Sequence, residues 1–197
     1  MAEITVESLT EAQAARRQRV LDAAMVLGAE GGYDAVQMRA VALRAEVALG
    51  TIYRYFSSKD HLLAATMVDW SADLERRLQQ RPPKGDTVAD QEVDVVRRAT
   101  KAMEQTPMLA AALVTAVSAH DPAAAACERE ITATIRRVLA VPMDDLDPEV
   151  RDRTVRVLSH VWNSALLRWV NGSDQPAEDV ASVGADLEDA TRLLLDG

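Results

Sequence analysis

The chain has 197 residues, 48% of them hydrophobic and 27% charged, with a formal net charge of −9. That length suits one sizeable domain, or a small domain beside a larger one, with enough apolar residues for a real core. One cysteine, Cys127, excludes an internal disulfide and fits a reducing cytoplasm, and neither a signal-peptide core nor an apolar run of about 18 residues is present.

A chain rich in Ala, Leu and Arg and poor in Gly and Pro favours helix, and no alternating apolar run signals a strand. Val20, Ala23, Ala24 and Leu27 form one stripe of a first helix over 11–29, which "EGGY" stops. A short helix follows over 37–45, with Met38, Val41 and Ala42 inward, then the turn "EVALG" and a helix around "TIYRYF" (51–56). Ser57 or Ser58 caps the next helix, Asp60 suits its first turn, and it extends to Gln80. "RPPKGD" (81–86) is the clearest boundary. Beyond it, helices are expected over 87–105, 107–119, 122–140, 148–171 and 176–195, with Pro107, Pro122 and Pro148 in first turns. The reading is an all-α protein of about nine helices. Residues 1–58 form a helix-turn-helix domain with an N-terminal arm, and 59–197 form a larger helical domain.

The acidic total hides an asymmetry. Between residues 12 and 59, Arg16, Arg17, Arg19, Arg39, Arg44, Arg54 and Lys59 outnumber Asp22, Glu30, Asp34 and Glu46. A basic segment on an acidic body suits a nucleic-acid face at one end, although a few charges fluctuate by chance. The "TIYRYF" stretch sharpens this. At about 100° per residue, Ile52 and Phe56 lie about 40° apart and make the docking face. Gly50, Thr51, Arg54 and Tyr55 then fall on the opposite face, with Tyr53 on the border and its ring partly buried. Arg54 can bond guanine or phosphate, Tyr53 and Tyr55 phosphate oxygens, and Leu49 a thymine methyl. Gly50 allows close backbone approach, and Lys59 adds charge beside free backbone N–H groups. The plain reading, aromatics gluing a small bundle, stays open on periodicity alone.

Residues 16–66 resemble the DNA-binding domain of the TetR family of transcriptional repressors. "GTIYRYFSSKDHLL" (50–63) is similar to that family's Gly-Thr-Leu-Tyr-x-x-Phe-x-x-Lys-x-x-Leu pattern. The resemblance implies a homodimer on a double-stranded, palindromic DNA operator, with residues 59–197 as a C-terminal ligand-binding and dimerisation domain that takes a small ligand and releases DNA. The chain departs from the family at Glu46, where Gly is usual, at Val36 and Gln37, where Ser or Thr opens the second helix, and at Ala48 and Leu49. Gln37 can replace Thr as a phosphate donor, and Arg39 keeps the charge. "GGYDAVQMRAVALRAEVALGTIYRYF", "KAMEQTPMLAAAL" and "VWNSALLRWV" further resemble the KstR-type repressors of cholesterol catabolism. That implies an apolar effector such as a steroid-derived acyl-CoA.

"TPMLAAALVTAVSAH" (106–120) and "VLSHVWNSALLRWV" (157–170) are apolar on most faces and should be central. Met103, Met108, Leu109, Leu113, Val117, Trp162, Leu166 and Trp169 are candidates to line an effector cavity, or plain core. His120, His160 and Asn163 are the polar groups there that could orient a ligand. The cavity is expected between the 87–105, 107–119 and 148–171 helices, with the 59–80 helix as lever. In the last helix Val180, Val183, Leu187, Ala190 and Leu194 make a stripe expected at a dimer interface, beside the small residues Ala181, Gly184 and Ala185, with internal packing as the alternative. Three dispersed His, no phosphate loop, and Cys127 beside Glu128 give no catalytic residue, metal or cofactor site, hence no enzyme. Two readings stay open beside a repressor: a helical small-molecule binder without DNA binding, and a small helical acyl-thioester enzyme.

Overall fold

The computed structural model describes residues 9–119, 121–172 and 176–196, with 176–179 in backbone only. The described residues form nine α-helices and no strand: α1 (Glu11–Ala35), α2 (Met38–Arg44), α3 (Leu49–Tyr55), α4 (Lys59–Gln80), α5 (Val88–Gln105), α6 (Pro107–Ser118), α7 (Ala125–Ala140), α8 (Pro148–Gly172) and α9 (Pro176–Leu195).

Local chemistry sets the ends. Thr10 and Gln13 form a capping box at α1, and Thr87 and Asp90 another at α5. Ser58, rather than Ser57, caps α4 by accepting from His61 N at 2.9 Å. Asp147 Oδ1 accepts from Glu149 N at 2.9 Å and caps α8. Helix α1 outruns the expected stop at residue 29, but its backbone breaks at Gly31 and Gly32, where Gly32 has φ 66°. Only glycine takes that angle cheaply, and a Cβ there would stand 3.0 Å from Met108 Cε. The helix expected from 122 begins at Ala125, because Pro122–Ala124 winds as one 3-10 turn capped by Asp121.

Two cores form. In the first, Val20, Leu21, Ile52, Phe56 and Leu62 of the N-terminal helices pack with Leu109 and Leu113 of α6 and Ile131 of α7. The second holds Met103, Leu139, Leu158, Trp162, Trp169 and Leu187. Trp70 and Ile135 touch both. Helix α4 runs past both cores, packing on α1, α6 and α7. Bidentate pairs fasten the larger half: Arg137 to Glu75 at 2.7 and 3.0 Å, and Arg97 to Glu188 at 3.0 and 2.9 Å.

The stripe expected at a dimer interface is corrected here. Val180, Val183 and Leu187 are at most 2% exposed within one chain. Helix α9 lays them against α5, α6 and α8, so a second copy cannot reach them. Ala190 is half-buried on the same side, and only Leu194 is open. Periodicity identifies an apolar face but not what covers it.

Candidate DNA interface and effector cavity

The α2–α3 turn is tight. Val47 N donates to Ala42 O at 3.0 Å, and Glu46 sits at φ 54°, the left-handed region. A side chain there costs about 1–2 kcal/mol, which explains why glycine suits the position. Helix α3 starts at Ala48 without a side-chain cap. Its outward face carries Gly50, with nothing within 4 Å of a built Cβ, and exposed Arg54 and Tyr53. Tyr53 is 51% exposed. Tyr55 is half-buried, its ring 6.2 Å from that of Phe56, so the two tyrosines exchange the places expected for them. On a helical wheel they flank the Ile52–Phe56 stripe at about equal angles, and only the neighbours decide which is covered. Leu49 and Thr51 are half-buried, Leu49 against the first core. Ala48 and Arg39 are exposed. Gln37 spends its amide locally, donating from Nε2 to Asp34 O at 2.9 Å.

Lys59 is held rather than loose. Its Nζ lies 3.4 Å from the Tyr33 ring centre and donates to Tyr33 O at 3.2 Å. Tyr33 Oη donates to Asp60 Oδ1 at 2.6 Å. Burial, then the Asp60 bond, pushes the Tyr33 hydroxyl up to about 12. Tyr33 thus pins the start of α4 to the α1–α2 junction. It was missed as a functional residue, although it is the third tyrosine of an aromatic-poor chain. Arg17 lies over the Phe56 ring at 5.4 Å and His61 stands edge-on to it at 5.7 Å, so α1, α3 and α4 meet at one aromatic contact.

The same α4 cap reaches the larger half. Ser58 Oγ donates to Asp121, whose other oxygen accepts from Ala123 N at 2.8 Å ahead of α7. The Ser58 bond is the main reason the Asp121 carboxyl lies below its ordinary range.

A cavity of about 30 Å³ lies between α4, α5, α6, α7 and α8. Helix α4 supplies Met67, Trp70, Ser71 and Leu74, and α7 supplies Thr134, Ile135 and Val138. The polar members are satisfied: Ser71 bonds Val68 O at 3.0 Å, and Thr134 accepts from Arg137 at 2.9 Å. Of the residues expected there, Met103, Trp162 and Leu166 line it, joined by Ala110 and Val114. Leu109, Leu113 and Val117 turn away into the first core. Met108 lies over Gly32 and is 38% exposed. Trp169 is buried in the second core outside the lining, and His160 and Asn163 face outward. His120 lies outside the described residues. An α6 apolar all round gave no basis for assigning its faces, and the α4 and α7 walls carried no separate signal.

Toward the start of α5, the Glu92 side chain is fully buried, and neither oxygen has a hydrogen-bond partner. Burial raises its carboxyl well above the usual range. Cys127 is half-buried, and burial pushes its thiol up, away from nucleophilic use. Among the described residues no group of three His, Cys, Asp or Glu could hold a metal ion, and no single helix is long and apolar enough to cross a membrane.

A short helix exposing Gly50, Tyr53 and Arg54, joined by one continuous helix to a body with an apolar cavity, is the build of a helix-turn-helix transcription regulator with a ligand-binding domain. Residues 20–66 match the family described as bacterial regulatory proteins, tetR family, and residues 85–194 match the tetracyclin repressor-like C-terminal domain. The chain is 38% identical over 187 residues to the HTH-type transcriptional repressor KstR of Rhodococcus jostii, covering 94% of this chain and 85% of that one. It is 36% identical to KstR of Mycobacterium tuberculosis, covering 94% and 83%. A TetR transcriptional regulator from Rhodococcus sp. RHA1 superposes with TM-score 0.79 at 30% identity, over 94% and 98% of the two chains. Thermus thermophilus FadR, solved with lauroyl-CoA, shares the fold at TM-score 0.68 and 22% identity, over 90% and 92%. The chain belongs to the TetR family of transcriptional regulators, and its relatives and fold are those of regulators rather than enzymes.

Proposed function

We propose that this protein is a dimeric repressor that holds a palindromic operator through α3 and lets go when a large apolar effector forces the cavity open. The observation that carries this reading is α4. One rigid helix starts at the pinned Tyr33–Lys59 contact, beside α3, and about 16 Å further on, at Trp70, becomes a wall of the cavity. The cavity holds about one or two waters, whereas ligand sites run to about 300–1,000 Å³. An acyl chain or steroid therefore enters only if helices part, and a ligand that selects the parted state shifts the population away from the closed one. Displacing α4 moves α3 through Phe56 and His61, so paired recognition helices no longer fit grooves about 34–36 Å apart.

Dimerisation is assigned to the outward faces of α8 and α9, replacing the covered stripe. Val157 is 37% exposed, and Ala181 and Ala185 are open, small enough for close helix approach. Residues 1–58 serve as the DNA-binding unit with its arm, and Arg54, Tyr53, Gly50 and Arg39 are its reading and phosphate contacts, with Tyr55, Thr51 and Gln37 in support. The KstR likeness favours a steroid-derived thioester as effector, and the FadR fold solved with lauroyl-CoA favours a fatty acyl thioester.

The test is selection of bound duplexes from a random pool, then titration of the selected duplex with lauroyl-CoA and lithocholoyl-CoA. A returned palindrome and release by at least one thioester support the reading. Thioester binding with no duplex enriched leaves a carrier protein instead. Ala185→Glu should give a folded monomer with weakened operator binding, and a dimer of unchanged strength removes the α8–α9 assignment.

A further inference from the structure

Helix α7 is clipped to α4 at both ends. Ser58 Oγ, at the cap of α4, donates to Asp121, which in turn caps the 3-10 turn leading into α7. About 25 Å further along α4, Glu75 accepts both guanidinium bonds of Arg137, at 2.7 and 3.0 Å, and Arg137 also donates to Thr134 at 2.9 Å. The second clip lies a matching distance along α7, so the two helices run side by side in one direction. They also pack directly on each other.

The rest of the cavity wall is different in kind. Met103 of α5, Ala110 and Val114 of α6, and Trp162 and Leu166 of α8 meet α4 and α7 there through hydrophobic side chains. Among the described residues no ion pair joins α4 or α7 to α5, α6, α8 or α9. Polar bonds reappear at the foot, where Arg98 of α5 donates to the carbonyls of Arg81 and Pro82 just beyond α4. The cavity thus lies on a seam that is apolar where it borders the void and tied at one end. Parting apolar faces around an apolar ligand leaves no polar atom unpaired. Pulling α4 from α7 instead breaks charge-assisted bonds at both clips.

We propose that α4 and α7 swing as one body, and that Asp121 and Arg137 are positioning residues for the recognition helix, acting through Ser58 and Glu75. The proposal rests on the effector reading above and names the part that moves. The DNA-binding helices are fastened to the same body. Gln18 Nε2 of α1 donates to Asp69 Oδ2 of α4 at 2.9 Å, and Lys59 Nζ donates to Tyr33 O at 3.2 Å. Where α1 meets α6, Leu109 lies over Gly28, which has no side chain to obstruct sliding. An effector pressing on Ile135 and Val138 of α7 therefore moves α3 as surely as one pressing on Trp70 of α4.

The test uses the full chain, the selected operator duplex, and lauroyl-CoA and lithocholoyl-CoA as probes. Calorimetry measures thioester affinity with and without saturating duplex, and the ratio of the two is the coupling between the sites. In the wild type that ratio should be about tenfold or more. Glu75→Arg and Arg137→Glu should each weaken operator binding about threefold and cut the ratio about threefold, with melting temperature as the check on folding. The exchange Glu75→Arg/Arg137→Glu should restore both. Asp121→Asn keeps an acceptor for Ala123 N and loses the one for Ser58, and it should lower the ratio in the same way. Single reversals with wild-type coupling show that α4 moves without α7 and overturn the proposal. So does an exchange that restores nothing, because the two side chains then act apart. If neither thioester binds the wild type, the effector reading fails and operator affinity alone decides. Weakening by each reversal and recovery in the exchange then keep α7 in the lever, and equal affinity throughout removes it.

Discussion

Among the described residues of the N-terminal half, around Phe56, no buried side-chain polar atom lacks a partner. The larger half leaves a void of about 30 Å³ beside Trp162 and, elsewhere on α5 and α9, a fully buried Glu92 carboxyl and a Thr191 hydroxyl without partners. The two halves follow from what each must do. For the proposed operator contacts, the DNA-binding half must hold Arg54 and Tyr53 in one geometry, and a close-packed core provides that. The sensing half must have a second arrangement within reach, and imperfect packing lowers the cost of leaving the first. Stability is not spread evenly because the two tasks are not alike.

The largest expected effect breaks the sealed half. Phe56→Ala removes a side chain 1% exposed and should cost about 3–5 kcal/mol in urea unfolding, with operator binding lost. A paired small-to-large change sharpens the contrast. Ala24→Val, at a position with no exposure, should cost about 1–3 kcal/mol. Ala110→Val borders the void and should cost less than half as much while blunting the effector response. Equal costs would mean that the halves are packed alike.

Glu92→Leu tests the sensing half from the other direction. Removing an unpartnered buried carboxyl should stabilise the protein by about 1–3 kcal/mol at neutral pH. The folded group keeps its proton where the unfolded one, near about 4.3, has lost it. Folding therefore takes up a proton, and wild-type stability falls as pH rises above that value until the folded group ionises. The gain from Glu92→Leu should grow over the same window. Glu75, lowered chiefly by its Arg137 bond, and Asp121, lowered by Ser58, act with the opposite sign and lose stability as pH falls. Melting curves of the variant and wild type across pH 4 to 8 read the difference, and a gap that stays flat removes the protonated-Glu92 account.

Arg54→Ala should leave the melting temperature alone and weaken operator binding by about 1–3 kcal/mol, relaxing one base position if it reads a base. The smallest effect lies in the turn. Glu46→Gly relieves a side chain at φ 54° and should gain about 1 kcal/mol. Loss of stability there would mean that the glutamate makes a contact worth more than its strain.

Much of this architecture was legible beforehand. Eight of the nine helix starts lay within two residues of their expected positions, those of α4, α6 and α8 marked by Ser58, Pro107 and Pro148, and the Gly31–Gly32 pair marked the real break in α1. The α3 docking face, Ile52 and Phe56, followed from 3.6-residue periodicity alone. The cavity was half legible, since Met103, Trp162 and Leu166 were foreseen and the α4 and α7 walls were not.

What the sequence by itself determined was local: where helices begin and end, which stripe of each is apolar, and that a basic segment over 12–59 stands on an acidic body. These depend on spacing and capping within a few residues. Only the tertiary structure decided between equivalent local choices. Tyr53 and Tyr55 flank their stripe symmetrically, α6 is apolar all round, and the α9 stripe suits a second copy as well as α5. The hydrophobic effect rewards covering such a face without specifying the cover, so the partner comes from the packing of the whole chain.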